Sequence, residues 1–534
     1  MRRSLTDPPV NYKLQQMEPI TVALIAIVLT LIAYAVYQAN EINKFWSKLG
    51  VPHKKPLLFF GNSFNAVLMR KHFAENQLDV LKDFQNEPIV GFYDLLKPIL
   101  LIKDVDYIEK VLVKDFMYFM DRGFPVDKRN AFDISLFSMN GKEWRALRYK
   151  LSPLFTTTKL KTMYGPMADC SQSLTSILDK FSEKEDVDLK DYLGRFAMDV
   201  IGSCAYGIDA KNLSEPENEF RRMGKKSFEF DKTQMFKFAL INCAPKLAKF
   251  FRLSFTKPDV AEYFCNIIRD TIDYRREHHI VRNDFLQMFM TLKDKGNLEL
   301  RINDPDDDYL QTDASYSVEN IEFTDDMMIG NAFTFLNAGF EATAANSLLT
   351  IYELSKNKEI QDKARQEILK HVEEAGGKLT YEALRKMTYL EQCVKETLRK
   401  YPPVPGLMRV CNKEYTLPNG YKIPVGQSVM IPVAAVHKDP QIYPEPEEFR
   451  PERFDPDQTI PSCAFLPFGN GPRICIAMRF ALLEIKHCTA KLLMNHEFKL
   501  SPNTKPFTIS KKSFFMTPAT PLLFNIKKIS NLAM

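Results

Sequence analysis

Apolar and polar positions divide this chain into an N-terminal span, a short interrupted linker and a long, mostly helical body. Residues 20–37 carry no charge. As a helix they would extend ~27 Å at 1.5 Å per residue, close to the thickness of a bilayer core. A cleaved signal peptide would have a shorter apolar run ending at small residues. Here the run meets Tyr34 and Tyr37 and then a polar stretch with Lys44, Trp46 and Lys48, which reads as an uncleaved anchor with an interfacial collar. Pro52 and Pro56, around Lys54-Lys55, interrupt helix. The expected division is therefore a tail over 1–19, a transmembrane anchor over 20–37, a proline-containing linker over 38–56 and one large domain over 57–534. Met17 just ahead of the span is an alternative start. Basic residues flank the span on both sides (Arg2, Arg3, Lys13; Lys44, Lys48, Lys54, Lys55), so charge leans only slightly toward a cytosolic body.

Within that body, apolar residues over 323–354 recur at helical spacing, and Thr324 followed by Asp325 and Asp326 makes an N-terminus for a long helix. Strand-like runs occur at 89–93, 99–102 and 428–432. The polar break at 303–308 reads as a mobile loop. Residues 235–251 mix apolar residues with lysines and read equally well as a membrane-dipping segment or a buried helix pair. No internal repeat is visible. The pattern predicts a mainly α fold with small β-sheets (α+β).

Composition changes this picture little. The 534 residues are 45% hydrophobic and 26% charged, with a net charge of +5, too mild a balance to argue for nucleic acid. No zinc-spaced cysteine set or P-loop is present, and His278-His279 lies in a charged, solvated stretch. Nine cysteines without regular spacing suit a reducing compartment.

The chemistry concentrates in Phe468-Gly469-Asn470-Gly471-Pro472-Arg473-Ile474-Cys475. The glycines turn the chain, the turn exposes one thiol, and a helix expected over 476–494 follows. A helix N-terminus favours negative charge on that sulfur, and a thiolate so placed can ligate a haem iron. The stretch resembles the haem-binding loop of the cytochrome P-450 family, with Ala477 where that family has glycine.

That resemblance extends over nearly the whole chain after the linker. Runs such as Asp121-Arg122-Gly123, Leu151-Ser152-Pro153-Leu154-Phe155-Thr156, Arg399-Lys400-Tyr401-Pro402-Pro403-Val404-Pro405 and His437-Lys438-Asp439-Pro440 are similar to the insect, microsomal, toxin-metabolising branch. It implies a cytochrome P-450 fold with the long helix crossing the oxygen-binding face of haem b, and iron held by Cys475. It implies Trp144, Arg148, Arg409 and Arg473 around the haem propionates, with Phe468 in the cysteine loop. Glu396, Arg399 and Arg453 match a structural triad that locks that loop. Substrate contacts are expected from Phe335, Ala338 and Thr343 on one helix face, from Leu407 and from Phe515. Electrons would come from NADPH through a separate flavoprotein reductase, with cytochrome b5 as a second donor. Lys142, Arg145, Lys150, Arg473, Arg479 and Lys486 are candidates for a basic docking face. The implied setting is the endoplasmic reticulum membrane, with a monomeric catalytic unit on its cytoplasmic face and lipophilic small molecules as substrates.

One departure bears on mechanism. In Ala338-Gly339-Phe340-Glu341-Ala342-Thr343 the glycine and the acid match the family, and Glu341 is expected to relay protons. The threonine position holds Ala342. Thr343, next along, is the second catalytic candidate beside Glu341, but one residue turns a helix by about 100°, so its hydroxyl does not simply take over. This keeps open one rival to an O2-dependent monooxygenase, a reductase-independent haem-thiolate isomerase or dehydratase; a non-catalytic haem or ligand binder is a separate alternative.

Overall fold

Helical spacing over most of the body becomes helices that pack on both sides of the Cys475 loop. The computed structural model describes residues 19–182, 184–229, 231–251, 253–254, 256–298, 304–310 and 321–529; the tail with Met17 lies outside them. Seven helices position the site: α1 (Pro19–Asn43), α2 (Gly141–Leu151), α3 (Thr157–Leu178), α4 (Lys190–Ile201), α5 (Asp325–Lys356), α6 (Thr388–Lys400) and α7 (Met478–Asn495). Helix α7 starts two residues later than the periodicity predicts. As expected, the fold is mainly α with small sheets.

Helix α5 is the long central element. The Thr324 side chain accepts from the Met327 amide at 3.2 Å, and Asp325 and Asp326 fill the first turn, where the helix dipole favours them. It crosses α4 so closely that a Cβ at Gly339 would lie 2.8 Å from Ile201 Cδ1. Gly339 thus favours close packing against α4, and a larger residue would displace the Ile201 side chain. Buried apolar faces of α2 to α5 and α7 merge into one large core cluster.

A four-stranded sheet carries the other wall. Strands β1 (Ile89–Asp94), β2 (Lys97–Ile102), β3 (Leu407–Val410) and β4 (Ser428–Ile431) lie in the order β1-β2-β4-β3. Ile89 pairs with Ile102, and Arg409 with Val429.

One expectation is corrected here. Helix α1 runs from Pro19 to Asn43, and Trp46, expected in an interfacial collar, is docked on the sheet. Trp46 is fully buried. Its indole donates to the Phe92 carbonyl at 3.1 Å, and its ring fills the space where a Cβ on Gly91 would approach to 2.5 Å. Tyr93 bonds both the Trp46 amide and the Asn43 carbonyl. A tryptophan after a span resembles a membrane collar until a groove of its own size is found for it. Tyr34 and Tyr37 remain exposed, as a collar requires.

The acidic break is also not a loose loop where it is described. Pro305–Leu310 forms a 3-10 turn against the Cys475 loop. Asp307 is buried, ion-paired with Arg479, and accepts from the Thr157 amide at 3.0 Å. The Tyr309 hydroxyl donates to the Ile476 carbonyl at 3.1 Å, and Asp304 pairs with Arg385 at 2.9 Å. Cations from distant parts of the chain neutralise these acids, so local polarity misleads.

Candidate active site

Cys475 sits on a turn that only glycine can make. Gly469 and Gly471 have φ of +76° and +69°, and a Cβ on Gly471 would meet the Leu112 carbonyl oxygen at 1.8 Å. The Cys475 amide donates to the Phe468 carbonyl at 2.9 Å, closing the loop. The Phe468 ring packs against an apolar cluster of α6 and α7. Burial pushes the Cys475 thiol up, while the Ala477 amide, Arg148 and Arg122 pull it down. The expected help from the helix terminus is present through Ala477, but burial outweighs it.

Arg148 and Arg122 act on the thiol, and Arg409 and Arg473 complete a cluster of four guanidiniums with them. Arg148 donates to the Ile474 carbonyl at 3.0 Å. Arg473 donates to the Met120 and Met139 carbonyls at 2.8 and 2.7 Å, and its guanidinium lies 4.1 Å from the Trp144 ring centre. Trp144 therefore holds Arg473 by stacking. Burial lowers Arg148 to about 10 and Arg409 to about 9, and mutual repulsion adds to burial in lowering Arg473. Arg148 and Arg409 stay charged at neutral pH. Arg148 Nη2, Arg409 Nε and Arg473 Nη1 are buried with no hydrogen-bond partner among the described residues. Buried donors that carry charge and lack an acceptor are strongly unfavourable. A dianion beside Cys475 would satisfy them, which is the charge and place of the two haem propionates. The residues fit that group. Arg122, half-buried, was legible only as part of a family-like run and not as a ligand.

The structure brings Glu396, Arg399 and Arg453 together. Arg399 clasps Glu396 with bonds of 2.7 and 2.9 Å, and Arg453 Nε reaches Glu396 Oε1 at 3.3 Å. Arg399 also donates to the His437 and Pro446 carbonyls. Spacing did not reveal His437. Its Nε2 accepts from the Leu466 amide at 2.7 Å, which puts the proton on Nδ1, facing the Arg399 carbonyl at 3.1 Å. His437 ties the triad to the strand of chain that enters the cysteine loop.

On α5, Ala338 is exposed and Ala342 half-exposed one turn apart, forming an open stripe on an otherwise buried helix. Two residues expected on that face lie elsewhere. Phe335 stacks in the core with the Phe155, Phe285 and Phe289 rings at 5.3, 5.5 and 5.6 Å. Thr343 is buried, its hydroxyl donating to the Gly339 carbonyl and facing Glu484 of α7. Glu341 lines a cavity of 240 Å³ with Lys190, Asp191, Lys225 and Thr517. Burial pushes its pKa up, and Lys190 and Lys225 pull it down. Leu407 lies 3.8 Å from where a Gly469 Cβ would be, against the cysteine loop, and Phe515 pairs with Phe228 at 5.6 Å. A larger cavity of 620 Å³, lined by Val126, Ile134, Met139 and Met327, contains none of Ala338, Leu407 or Phe515. It adjoins the arginine cluster through Met139 and is not where those residues converge.

The proposed docking face does not assemble. Lys150 is buried and donates to the Gly296 carbonyl at 2.6 Å, and Lys486 pairs with Glu391 at 2.9 Å. Arg473 and Arg479 are held as described above. Lys142 stays exposed and Arg145 half-buried.

The family model for cytochrome P450 matches residues 51–526. The chain belongs to the cytochrome P450 family. Among curated relatives, the probable cytochrome P450 6a14 of Drosophila melanogaster is 36% identical over 527 residues, covering 95% of this chain and 99% of that protein. Cytochrome P450 6k1 of Blattella germanica is 35% identical over 509 residues, covering 94% and 96%. This P450 is accordingly a haem monooxygenase of insect family-6 type. Family membership implies a haem held by a cysteine thiolate, with O2 as co-substrate.

Proposed function

We propose that this P450 is a membrane-anchored monooxygenase that inserts one oxygen atom from O2 into lipophilic small molecules. Its electrons come from NADPH through a separate flavoprotein reductase, with cytochrome b5 as a second donor. The observation that carries this reading is a half-buried thiol on a glycine-turned loop beside buried, acceptor-less guanidinium donors. Haem bound there would supply oxygen activation, with Cys475 as the thiolate that would hold its iron and donate electron density to it. Arg122, Arg148, Arg409 and Arg473 hold the propionates, Trp144 stacks Arg473 in place, and Glu396, Arg399 and Arg453 keep the loop shut. Glu341 moves protons between its polar cavity and the Gly339–Ala342 turn. Ala338, Leu407 and Phe515 present apolar surface to the substrate.

Helix α1, with a mean hydropathy of 2.5 in its most apolar window, supports an anchor in the endoplasmic reticulum membrane, the body facing the cytoplasm. Exposed Phe236, Phe250 and Phe251 favour the membrane-dipping alternative for 235–251. Labelled dioxygen supplied with reductase and NADPH tests the whole reading. Label in the product is expected. Rearrangement of a peroxide without NADPH would favour the isomerase that Ala342 leaves open, and neither result would leave a binder.

A further inference from the structure

The run Asp121-Arg122-Gly123 ties separate parts of the site to one another. Its guanidinium, Arg122, clusters with Arg148 from α2, Arg409 from β3 and Arg473 from the cysteine loop. Asp121 and its neighbours bond to each of those elements. The Asp121 carboxylate accepts from the Gly141 amide, the first of α2, at 2.6 Å, and from Asn412 Nδ2 at 2.7 Å. Its carbonyl accepts at 2.8 Å from the amide of Val410, which follows Arg409 on β3. The Met120 carbonyl, just before it, accepts from Arg473 Nε at 2.8 Å. Gly123 has a φ of +81°, and a Cβ there would lie 2.5 Å from Val410 Cγ2, so the run is pressed onto β3. Asn140 stands at the N-cap of α2, yet its side chain makes no capping bond. The first amides of a helix lack partners within it and favour negative charge beside them. Asp121 takes that place from another segment, with a charge-assisted bond. Burial and the neighbouring guanidiniums lower Arg473, and the charge on Asp121 opposes them.

We propose that Asp121 is a positioning residue for the arginine cluster: it locks the start of α2 and the end of β3 onto the segment that holds Arg473, and its negative charge offsets the cluster. Donors that must converge on one dianion are useful only if their elements keep a fixed register. Through Asp121 a shift of α2, which carries Trp144 and Arg148, cannot occur without breaking a bond to the sheet that carries Arg409. Asn412 completes the lock, since its own amide donates to the Tyr118 carbonyl at 2.7 Å. The inference rests on reading the four arginines as the propionate ligands of this P450.

The test uses the full-length holoprotein and two readouts, haem transfer to excess apomyoglobin and the midpoint potential of the bound haem. Asp121→Ala should release haem about tenfold faster, the equivalent of one charge-assisted hydrogen bond. Asp121→Asn keeps an acceptor for the Gly141 amide and drops the charge, so it should hold haem far better than the alanine variant. Its midpoint potential should nevertheless rise, because a negative charge that disfavours the reduced haem is gone. A merely structural cap would leave that potential unmoved. Wild-type haem release in Asp121→Ala, or an unchanged potential in Asp121→Asn, would overturn the proposal. If Asp121→Ala does not accumulate as folded protein, Asn412→Ala takes its place: faster haem release supports the lock, and wild-type release overturns it. Arg409→Leu separates the two readings. Wild-type haem release in that variant would sink the propionate assignment itself, whereas rapid release there beside neutral Asp121 variants would overturn the role of Asp121 alone.

Discussion

Ala342 stands where the family carries a hydroxyl, and its carbonyl is instead held by Asn346 Nδ2 at 3.0 Å. Restoring the hydroxyl with Ala342→Thr should raise product per NADPH and lower peroxide release, measured by accounting for NADPH, product and peroxide together. An unchanged ratio, together with collapse on Thr343→Ala, would move the proton role to Thr343. Sequence alone was enough to mark Cys475, Glu341 and the glycine turn as candidates, because the chemistry proposed for them depends on immediate neighbours. It could not separate the faces of α5. Phe335 is pulled into the core by Phe155, Phe285 and Phe289, and Thr343 turns to Glu484, partners that lie far away along the chain. Arg122 escaped for the same reason: an arginine becomes a ligand only when three others surround one space.

Helix α6 and the 3-10 turn Pro451–Phe454 act together through Glu396. Arg399→Ala would leave a fully buried carboxylate half-paired, at a cost of about 3–5 kcal/mol. We expect the purified variant to carry much less haem per polypeptide, read from the Soret absorbance against protein; full pigment would show that the loop holds without the triad. The anchor helix and the sheet form a second such unit. Trp46→Ala should cost about 3–5 kcal/mol through the cavity it opens against Gly91 and Tyr93, lowering the unfolding temperature. A change of under about 0.5 kcal/mol, usual for surface positions, would return Trp46 to the membrane interface. The long central helix and the helix after Cys475 were legible from the sequence. The docked linker and the folded acidic turn were not, since both depend on grooves and cations supplied by remote segments.

Acid should unfold the molecule partly through histidines buried without charge. Burial lowers both His437 and His487 to about 3, the latter held between Ser171 Oγ at 2.7 Å and the Tyr164 hydroxyl at 3.1 Å. Unfolded, each titrates near 6.5. Between about pH 6.5 and 3 the unfolded chain therefore binds more protons, and stability falls as pH drops, by up to ~1.4 kcal/mol per pH unit for each ring. Buried carboxyls with raised pKa, Glu484 and Glu341 among them, act in the opposite sense. The expectation is thus placed on a comparison. His487→Gln should flatten the pH dependence of urea-unfolding free energy by about one proton below pH 6.5, and identical slopes would show that His487 titrates normally in the fold. The central claim concerns the thiol that the whole fold is arranged to present. The carbon monoxide difference spectrum of the reduced protein, compared between wild type and Cys475→Ser, tests it most directly. A thiolate-type band in the wild type that is lost in the serine variant is the expected result; the same band in both would contradict the assignment of Cys475 as the haem ligand.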